Sequence, residues 1–209
     1  MSAELPEVHG RCEPAFESLR RALAEIMETG AEVGAALAVH VGKRPVVDLW
    51  AGHTDSARTR PWDEHTIVNL YSVGKAVTAV CALRLMEAGA LDLDAPVSRY
   101  WPEFAQAGKQ HLPVRYLLTH QAALPAVFRP LPPGAELEWE VMTEALAAQE
   151  PWWEPGAGHG YHVNTYGFLV GEVVRRITGK SLGAYLRDEI ARPAGIDFFI
   201  GFGPELDAR

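Results

Sequence analysis

The hydrophobic pattern predicts a short sheet-forming region at the start of the chain. Apolar side chains recur at helical spacing over residues 15–29, and Gly30 follows as a stop. Residues 33–41 and 45–52 are β-rich runs on either side of a short polar turn, which is typical of a hairpin. Residues 66–71 are expected to form one more short strand.

The remainder of the pattern predicts mainly helices, separated by loops rich in proline and glycine. The predicted helices cover residues 72–88, 113–120, 137–149, 165–177 and, with Ser181 as N-cap, 181–191. The helix that begins at Ser72 is nearly all apolar after its first turn, and we expect it to be buried on every side. A hairpin alone is only marginally stable, so its open edges are expected to be covered.

Composition and charge exclude several classes of function. The chain of 209 residues has a formal net charge of −8, which argues against nucleic acid or an anionic membrane as the main partner. It has no uninterrupted apolar run long enough to predict a membrane span. Two cysteines give no disulfide framework, and the acidic N-terminus is unlike a secretory signal. We therefore expect a cytoplasmic protein.

Ser72 and Lys75 are the first candidates for chemistry. Residues three apart lie on one face of a helix, so the serine hydroxyl and the lysine amine are predicted to come within hydrogen-bond reach. A serine hydroxyl needs a base to become a good nucleophile, and a lysine that burial and the helix dipole make neutral is suited to this.

Two simpler readings compete with a catalytic pair. Ser72 can be a plain helix N-cap, although a capping box would have Glu or Gln three residues later, where the sequence has Lys75. The pair can also be chance, but six serines and four lysines give random matches on the order of 0.1. Both facts favour the catalytic interpretation.

The segment LYSVGKAVTA resembles the nucleophile motif of serine β-lactamases and penicillin-binding proteins. Further blocks are similar, in the same order, to family VIII carboxylesterases, which are related to class C β-lactamases. These blocks are VVDLWAG, LDLDAPVSRYWPEF, LLTHQAALPAV, WEPGAGHGYH and YGFLVGEVVRRITGKSL. The resemblance extends from about Val8 to the last residue. It implies a serine hydrolase that cleaves short-chain acyl esters through a Ser72 acyl-enzyme.

The resemblance also implies a role for Tyr161 as a second proton-handling residue. Members of this family carry a tyrosine in a Tyr-x-Asn or related triplet, but here the third residue is Val163, and Asn164 follows one place later. Packing of Tyr161 against the core as an ordinary loop residue is the alternative. Trp152 and Trp153, in the same loop, are predicted to wall a substrate pocket, and half-buried surface packing is equally compatible with them.

The family resemblance implies a mixed α/β (α+β) protein with the β-lactamase-like serine hydrolase fold. We predict a sheet portion leading into the nucleophile helix over 1–75, a mainly helical domain over 76–180, and a return segment over 181–209. The late strand that supplies an oxyanion donor in this family has no counterpart before Arg209, so a fragment or a short member is expected. A second copy of the chain is the predicted cover for the open sheet edge.

Other functions fit the sequence less well. No serine lies in a Gly-x-Ser-x-Gly motif, and His159 and His162 have no evident third metal ligand, so neither a metal nor another cofactor is expected. A β-lactamase or D-Ala peptidase would use the same machinery on another substrate. The rival from a different class is a non-catalytic or weakly active binding protein that keeps the scaffold.

Overall fold

The computed structural model describes residues 6–206, which form two compact units. The first extends to Val68 and the second begins at Asn69. In the first unit, helix α1 (Glu17–Glu28) lies on a sheet whose strands are β1 (His9–Cys12), β2 (Gly34–Val41) and β3 (Arg44–Gly52). The described part of the second unit has helices but no sheet.

The sheet of the first unit is antiparallel, with β3 between β1 and β2. Leu49 of β3 lies opposite Gly10 on one side and Leu37 on the other. The buried side chains of β3 pack against α1, because an amphipathic helix and one sheet face bury their apolar surfaces together. This small core consists of Leu23, Met27, Val46, Val47, Leu49 and Ala51.

Strand β1 was not expected from the sequence. Its residues HGRC are mostly polar and exposed, so no apolar alternation marks it. Gly10 explains how β1 approaches β3 closely: its φ is +90°, and a Cβ there would lie 2.1 Å from the carbonyl oxygen of Asp48. The predicted hairpin of β2 and β3 is confirmed, but the predicted strand at 66–71 is wrong, because this segment is irregular and pairs with no strand.

The second unit is built from helices whose bounds agree closely with the predicted ones. They are α2 (Val73–Glu87), α3 (Val114–Leu118), α4 (Trp139–Ala148), α5 (Thr165–Thr178), α6 (Leu182–Leu186), which continues as a π-helical segment at Arg187–Ala191, and α7 (Arg192–Ala194). Short 3₁₀ turns at Pro14–Phe16, Val97–Arg99, Pro102–Ala105, Ala135–Leu137 and Pro204–Leu206 complete the described elements. Ser181 caps α6 as predicted, since its hydroxyl accepts from the Ala184 N–H at 3.2 Å.

The core of the second unit forms where α2 and α5 pack together with the loops around Trp101 and Phe104. Cys81 is fully buried there, and burial raises the pKa of its thiol to about 11. Cys12 is also a free thiol. The cytoplasmic location expected from the sequence stays a prediction. No helix within residues 6–206 is long and apolar enough to cross a membrane.

The prediction that α2 is buried on every side is wrong. The helix buries Thr78, Cys81, Ala82 and Leu85, but it exposes Val73, Val80, Leu83 and Met86. An apolar composition shows only that a helix can be buried on every side. Whether it is buried depends on which other elements pack against each of its faces.

A buried carboxylate joins α4 to α5. Glu172 accepts hydrogen bonds at 2.7 Å from the indole N–H of Trp139 and from the guanidinium groups of Arg175 and Arg176. Burial alone would raise the pKa of Glu172, but these donors bring it below its ordinary value. The ion cluster therefore fixes the rotation of α5, whose N-terminus follows the Tyr161 loop.

A buried lysine holds the end of α4. The Lys109 amine is fully buried and donates to the carbonyls of Gln106 (2.9 Å), Ala147 (3.0 Å) and Gln149. Burial lowers the pKa of Lys109 to about 8. Because the last carbonyls of a helix lack partners within it, the amine serves as the cap that no side chain of α4 provides.

We predict that Lys109→Met lowers the free energy of unfolding by about 1–3 kcal/mol, since it leaves buried carbonyls without donors. The unfolded amine has a pKa near 10.5 and the folded one about 8, so the unfolded state binds more protons between these values. The stability of the parent should therefore rise with pH across that window relative to Lys109→Met. Urea unfolding at several pH values measures both effects.

Lys43→Met is the control for this prediction, because Lys43 is exposed. It should leave the pH profile of the parent unchanged. Parallel profiles for the parent and Lys109→Met would contradict the assignment.

Candidate active site

Ser72 lies at the start of α2, at the end of a strained turn. The Asn69 side chain accepts a hydrogen bond from the Tyr71 N–H at 3.0 Å, and Tyr71 has φ +44°, a conformation that costs a non-glycine residue about 1–3 kcal/mol. Ser72 is exposed and makes no capping hydrogen bond. The structure therefore does not give its hydroxyl the role of an ordinary helix cap.

Lys75 lies beside Ser72, as the spacing predicted. Its amine donates to the Ser72 hydroxyl at 3.0 Å and to the carbonyl of Val163 at 2.8 Å. The second bond connects α2 to the segment that follows Tyr161. The burial expected for Lys75 is only partial, because the first turn of α2 lies outside the core and leaves the side chain half-buried.

Tyr161 completes a cluster of three side chains. The Lys75 amine lies 4.8 Å from the centroid of its ring, and about half of the tyrosine is exposed. Hydrogen bonding with the Ser72 hydroxyl, and then with Lys75, lowers the pKa of the phenol from its ordinary value of 10.0. A lowered pKa makes the phenolate form of Tyr161 more accessible next to the Ser72 hydroxyl. A general base must be able to take up a proton in this way.

The triplet that begins at Tyr161 differs from Tyr-x-Asn in a way the structure explains. Val163 offers no polar side chain, but its backbone carbonyl accepts the lysine amine. Asn164 is the N-cap residue of α5, is exposed and makes no capping hydrogen bond. A backbone acceptor cannot be identified from residue types, so this contact could not be predicted from the sequence.

The two predicted substrate tryptophans have different surroundings. Trp153 packs beneath the loop: a Cβ on Gly160 would lie 2.5 Å from its ring, and its buried indole N–H has no partner within residues 6–206. Trp152 is half exposed and meets the exposed Phe128 edge to face at 6.1 Å. Both substrate contacts stay predictions, and Phe128 is an aromatic neighbour that the sequence did not indicate.

His120, which was not singled out from the sequence, lies next to Tyr161 and contacts two further histidine rings. The ring of His120 lies 4.9 Å from that of Tyr161, 5.4 Å from His162 and 6.0 Å from His159. In the described part of the chain, no group of three or more His, Cys, Asp or Glu residues is arranged to hold a metal ion.

The helical second unit, with a serine and a lysine at the start of a core helix and a tyrosine facing them, has the architecture of the β-lactamase-like serine hydrolase fold. Comparison with known families agrees: the Beta-lactamase family matches residues 19–209. The chain therefore belongs to the Beta-lactamase family.

Individual relatives include esterases. The chain is 37% identical to the esterase/beta-lactamase LipL of Mycobacterium tuberculosis over 201 residues, which cover 96% of this chain and 46% of LipL. It is 32% identical to esterase EstB of Burkholderia gladioli over 162 residues, or 69% of this chain and 41% of EstB.

Solved structures agree on the fold. A family VIII carboxylesterase has a TM-score of 0.91 and 40% identity, with 97% of this chain and 56% of that chain covered. A penicillin-binding protein homologue from Caulobacter crescentus has a TM-score of 0.93 and 36% identity, covering 97% of this chain and 54% of that one. The chain thus spans about half the length of the relatives it matches.

We predict that Ser72→Ala and Lys75→Met each raise the pKa of Tyr161 toward 10.0, because each removes a hydrogen-bonding partner of the phenol. Titration of the tyrosine ¹³Cζ resonances by NMR measures this directly. Tyr161→Phe assigns the signal among the six tyrosines. An unchanged Tyr161 titration in both variants would show that the three side chains do not interact in solution.

Proposed function

We propose that this chain acts as a serine hydrolase of the family VIII carboxylesterase type, which cleaves short-chain acyl esters through a Ser72 acyl-enzyme. The observation that supports this most is the cluster of the Ser72 hydroxyl, the Lys75 amine and the Tyr161 phenol, in which the phenol has a lowered pKa. The esterases among its relatives support the same reaction class. Ser72 is the proposed nucleophile, and Tyr161 and Lys75 are the proposed proton-handling pair.

The proposed reaction runs in two halves. Tyr161 phenolate accepts the hydroxyl proton as the Ser72 Oγ forms a bond to the acyl carbon. The tetrahedral intermediate then collapses, the carbon–oxygen bond to the alcohol breaks, and the phenol returns its proton to the leaving oxygen. Water repeats the sequence on the acyl-enzyme, which releases the acid and restores Ser72.

Lys75 supports this cycle through its position between two oxygen acceptors. Its bonds to Ser72 and to the Val163 carbonyl place the amine over the face of Tyr161, where a positive charge favours the phenolate. The Ser72 N–H at the start of the 15-residue helix α2 is the proposed first oxyanion donor, since helix N-termini stabilise developing negative charge.

A β-lactamase or peptidase function is the second candidate, since LipL is named both an esterase and a beta-lactamase. It would use the same three residues on an amide bond instead of an ester bond, so the leaving group would be a nitrogen rather than an alcohol oxygen. A non-catalytic binding role on the same scaffold is the third, because the chain spans about half of its relatives.

We predict that the parent hydrolyses p-nitrophenyl butyrate and that Ser72→Ala abolishes this activity, because the nucleophile is lost. Tyr161→Phe should reduce kcat by about 10²- to 10⁴-fold, the usual contribution of a general base. In the parent, kcat/KM should rise with pH as Tyr161 loses its proton, with an apparent pKa below 10.0.

Fluorophosphonate labelling followed by mass spectrometry identifies the activated hydroxyl in the same experiment. Ser56→Ala, at an exposed serine of the first unit, is the matched control and should keep both labelling and turnover. Equal rates in the parent and Ser72→Ala would favour the binding role, and turnover of a chromogenic cephalosporin in preference to the ester would favour a β-lactamase.

Self-association through β2 is the proposed partner interaction. Strand β2 lies at the edge of the sheet, and its sequence GAALAVHV has neither lysine nor proline to discourage pairing. Within residues 6–206 only β3 pairs with it. A second copy can continue the sheet across a two-fold axis.

We predict a dimer by multi-angle light scattering, and dissociation in Ala38→Lys, which adds a charge to an exposed position of β2. Ala31→Lys adds the same charge at an exposed position outside the sheet and should leave the dimer intact. A monomeric parent at micromolar concentration would rule out this mode of association.

A further inference from the structure

His120 holds the tyrosine loop by hydrogen bonds to the backbone on both sides of Tyr161. Its carbonyl accepts the Gly160 N–H at 3.1 Å, and its ring Nδ1 accepts the His162 N–H at 3.1 Å. The imidazole ring also lies 4.9 Å from the Tyr161 ring, so one residue contacts the loop before, at and after the tyrosine. The backbone of Tyr161 therefore has little freedom to rotate while these contacts last.

The bond from the His162 N–H requires one particular form of His120. An imidazole nitrogen accepts a hydrogen bond only when it carries no proton, so His120 must be neutral with its proton on Nε2. Burial, and then the charges of His162, His159 and Lys75, lower the pKa of His120 to about 4. Tyr161 and Tyr166 are the other titratable groups against its ring.

The neighbouring contacts make this arrangement rigid. His162 is fully buried; its Nε2 accepts the Leu124 N–H at 3.1 Å, while its Nδ1 faces the Gly160 carbonyl at 2.5 Å. The Thr165 hydroxyl donates to the Leu124 carbonyl at 2.7 Å. Residues 120–124 and 160–165 are thus joined by a series of direct hydrogen bonds.

The backbone of His120 is itself strained. Its φ is +61°, in the left-handed region that non-glycine residues occupy rarely, although histidine does so more often than most. The following residue is held on both sides, since the Gln121 N–H donates to the Tyr116 carbonyl and the Gln121 carbonyl accepts from Gly156. Strain of this kind persists only when the surrounding contacts fix the conformation.

We propose that His120 is a positioning residue that sets the location of the Tyr161 phenol relative to Ser72 and Lys75. This inference rests on the proposed function of Tyr161 as the proton carrier. His120 acts through the backbone of the loop rather than on the substrate. A displacement of about 1 Å in a catalytic group can cost roughly 10²-fold in rate, so the contribution of such a clamp is measurable.

Replacement by asparagine and by leucine, which have nearly the same size, tests the proposal. In His120→Asn the amide oxygen can replace Nδ1 as acceptor, and asparagine tolerates the positive φ. In His120→Leu the acceptor is lost. His120→Gly tolerates the backbone conformation but also lacks the acceptor, and so separates strain from hydrogen bonding.

We expect His120→Asn to retain most of the parent kcat, and His120→Leu and His120→Gly to lose about 10²-fold in kcat with little change in KM. The pKa of Tyr161, followed by ¹³Cζ NMR, should stay lowered in His120→Asn and return toward 10.0 in the other two. Urea unfolding checks that each variant is folded. His111→Leu, at an exposed histidine, is the control and should change neither quantity.

The NMR measurement distinguishes failure of this proposal from failure of the proposed function, because it needs no turnover. A folded His120→Leu with the parent Tyr161 pKa would overturn the proposal, as would equal loss in His120→Asn and His120→Leu. If a variant does not fold, the ¹⁵N resonances of the parent imidazoles decide the matter. An Nδ1–H tautomer of His120 in the parent would exclude the acceptor role.

Discussion

The bridge that Lys75 forms between the Ser72 hydroxyl and the Val163 carbonyl is the interaction on which the site depends. The two acceptors are far apart in the sequence, and a single amine within 3.0 Å of both brings α2 and the tyrosine loop together. A lysine has three donors and no acceptor, so its two oxygen partners also fix its direction. Tyr161 lies next to an amine that is already held in place.

The scaffold around this bridge depends on buried polar groups as much as on apolar packing. Glu172 is neutralised by two arginines, whereas the Lys109 amine donates to three backbone carbonyls and lies 5.1 Å from the centroid of the Phe104 ring. A buried charge is costly unless hydrogen bonds replace its water shell. Both groups satisfy this condition, and each connects segments that are distant in the sequence.

Patterns that involve neighbouring residues could be predicted from the sequence. The helical spacing gave α1, α2, α4 and α5 to within a few residues, and the Ser72–Lys75 contact follows from the geometry of one helical turn. The family resemblance, rather than periodicity, identified Tyr161. Strand β1 could not be found in this way, because it is held by backbone hydrogen bonds and carries no apolar alternation.

Contacts between distant segments were the part that the sequence did not reveal. The exposure of one face of α2 depends on which elements the described chain places against it, and the half-buried position of Lys75 depends on the direction of its first turn. His120 was missed for the same reason, since its main partners are the backbone groups of Gly160 and His162. A residue type indicates what a side chain can donate or accept, but not which peptide group will face it.

Backbone strain near the site connects these observations. Tyr71, His120 and Ala123 all have positive φ, at +44°, +61° and +59°, and none of them is glycine. Tyr71 directly precedes Ser72, while His120 and Ala123 belong to the segment that bonds to the tyrosine loop. Conformations of this kind cost about 1–3 kcal/mol each, and they remain only where surrounding contacts over-determine them. Packing alone would not require such strained conformations. The strain therefore favours the view that the hydrogen bonds between residues 120–124 and 160–165 hold Ser72, Lys75 and Tyr161 in a fixed geometry.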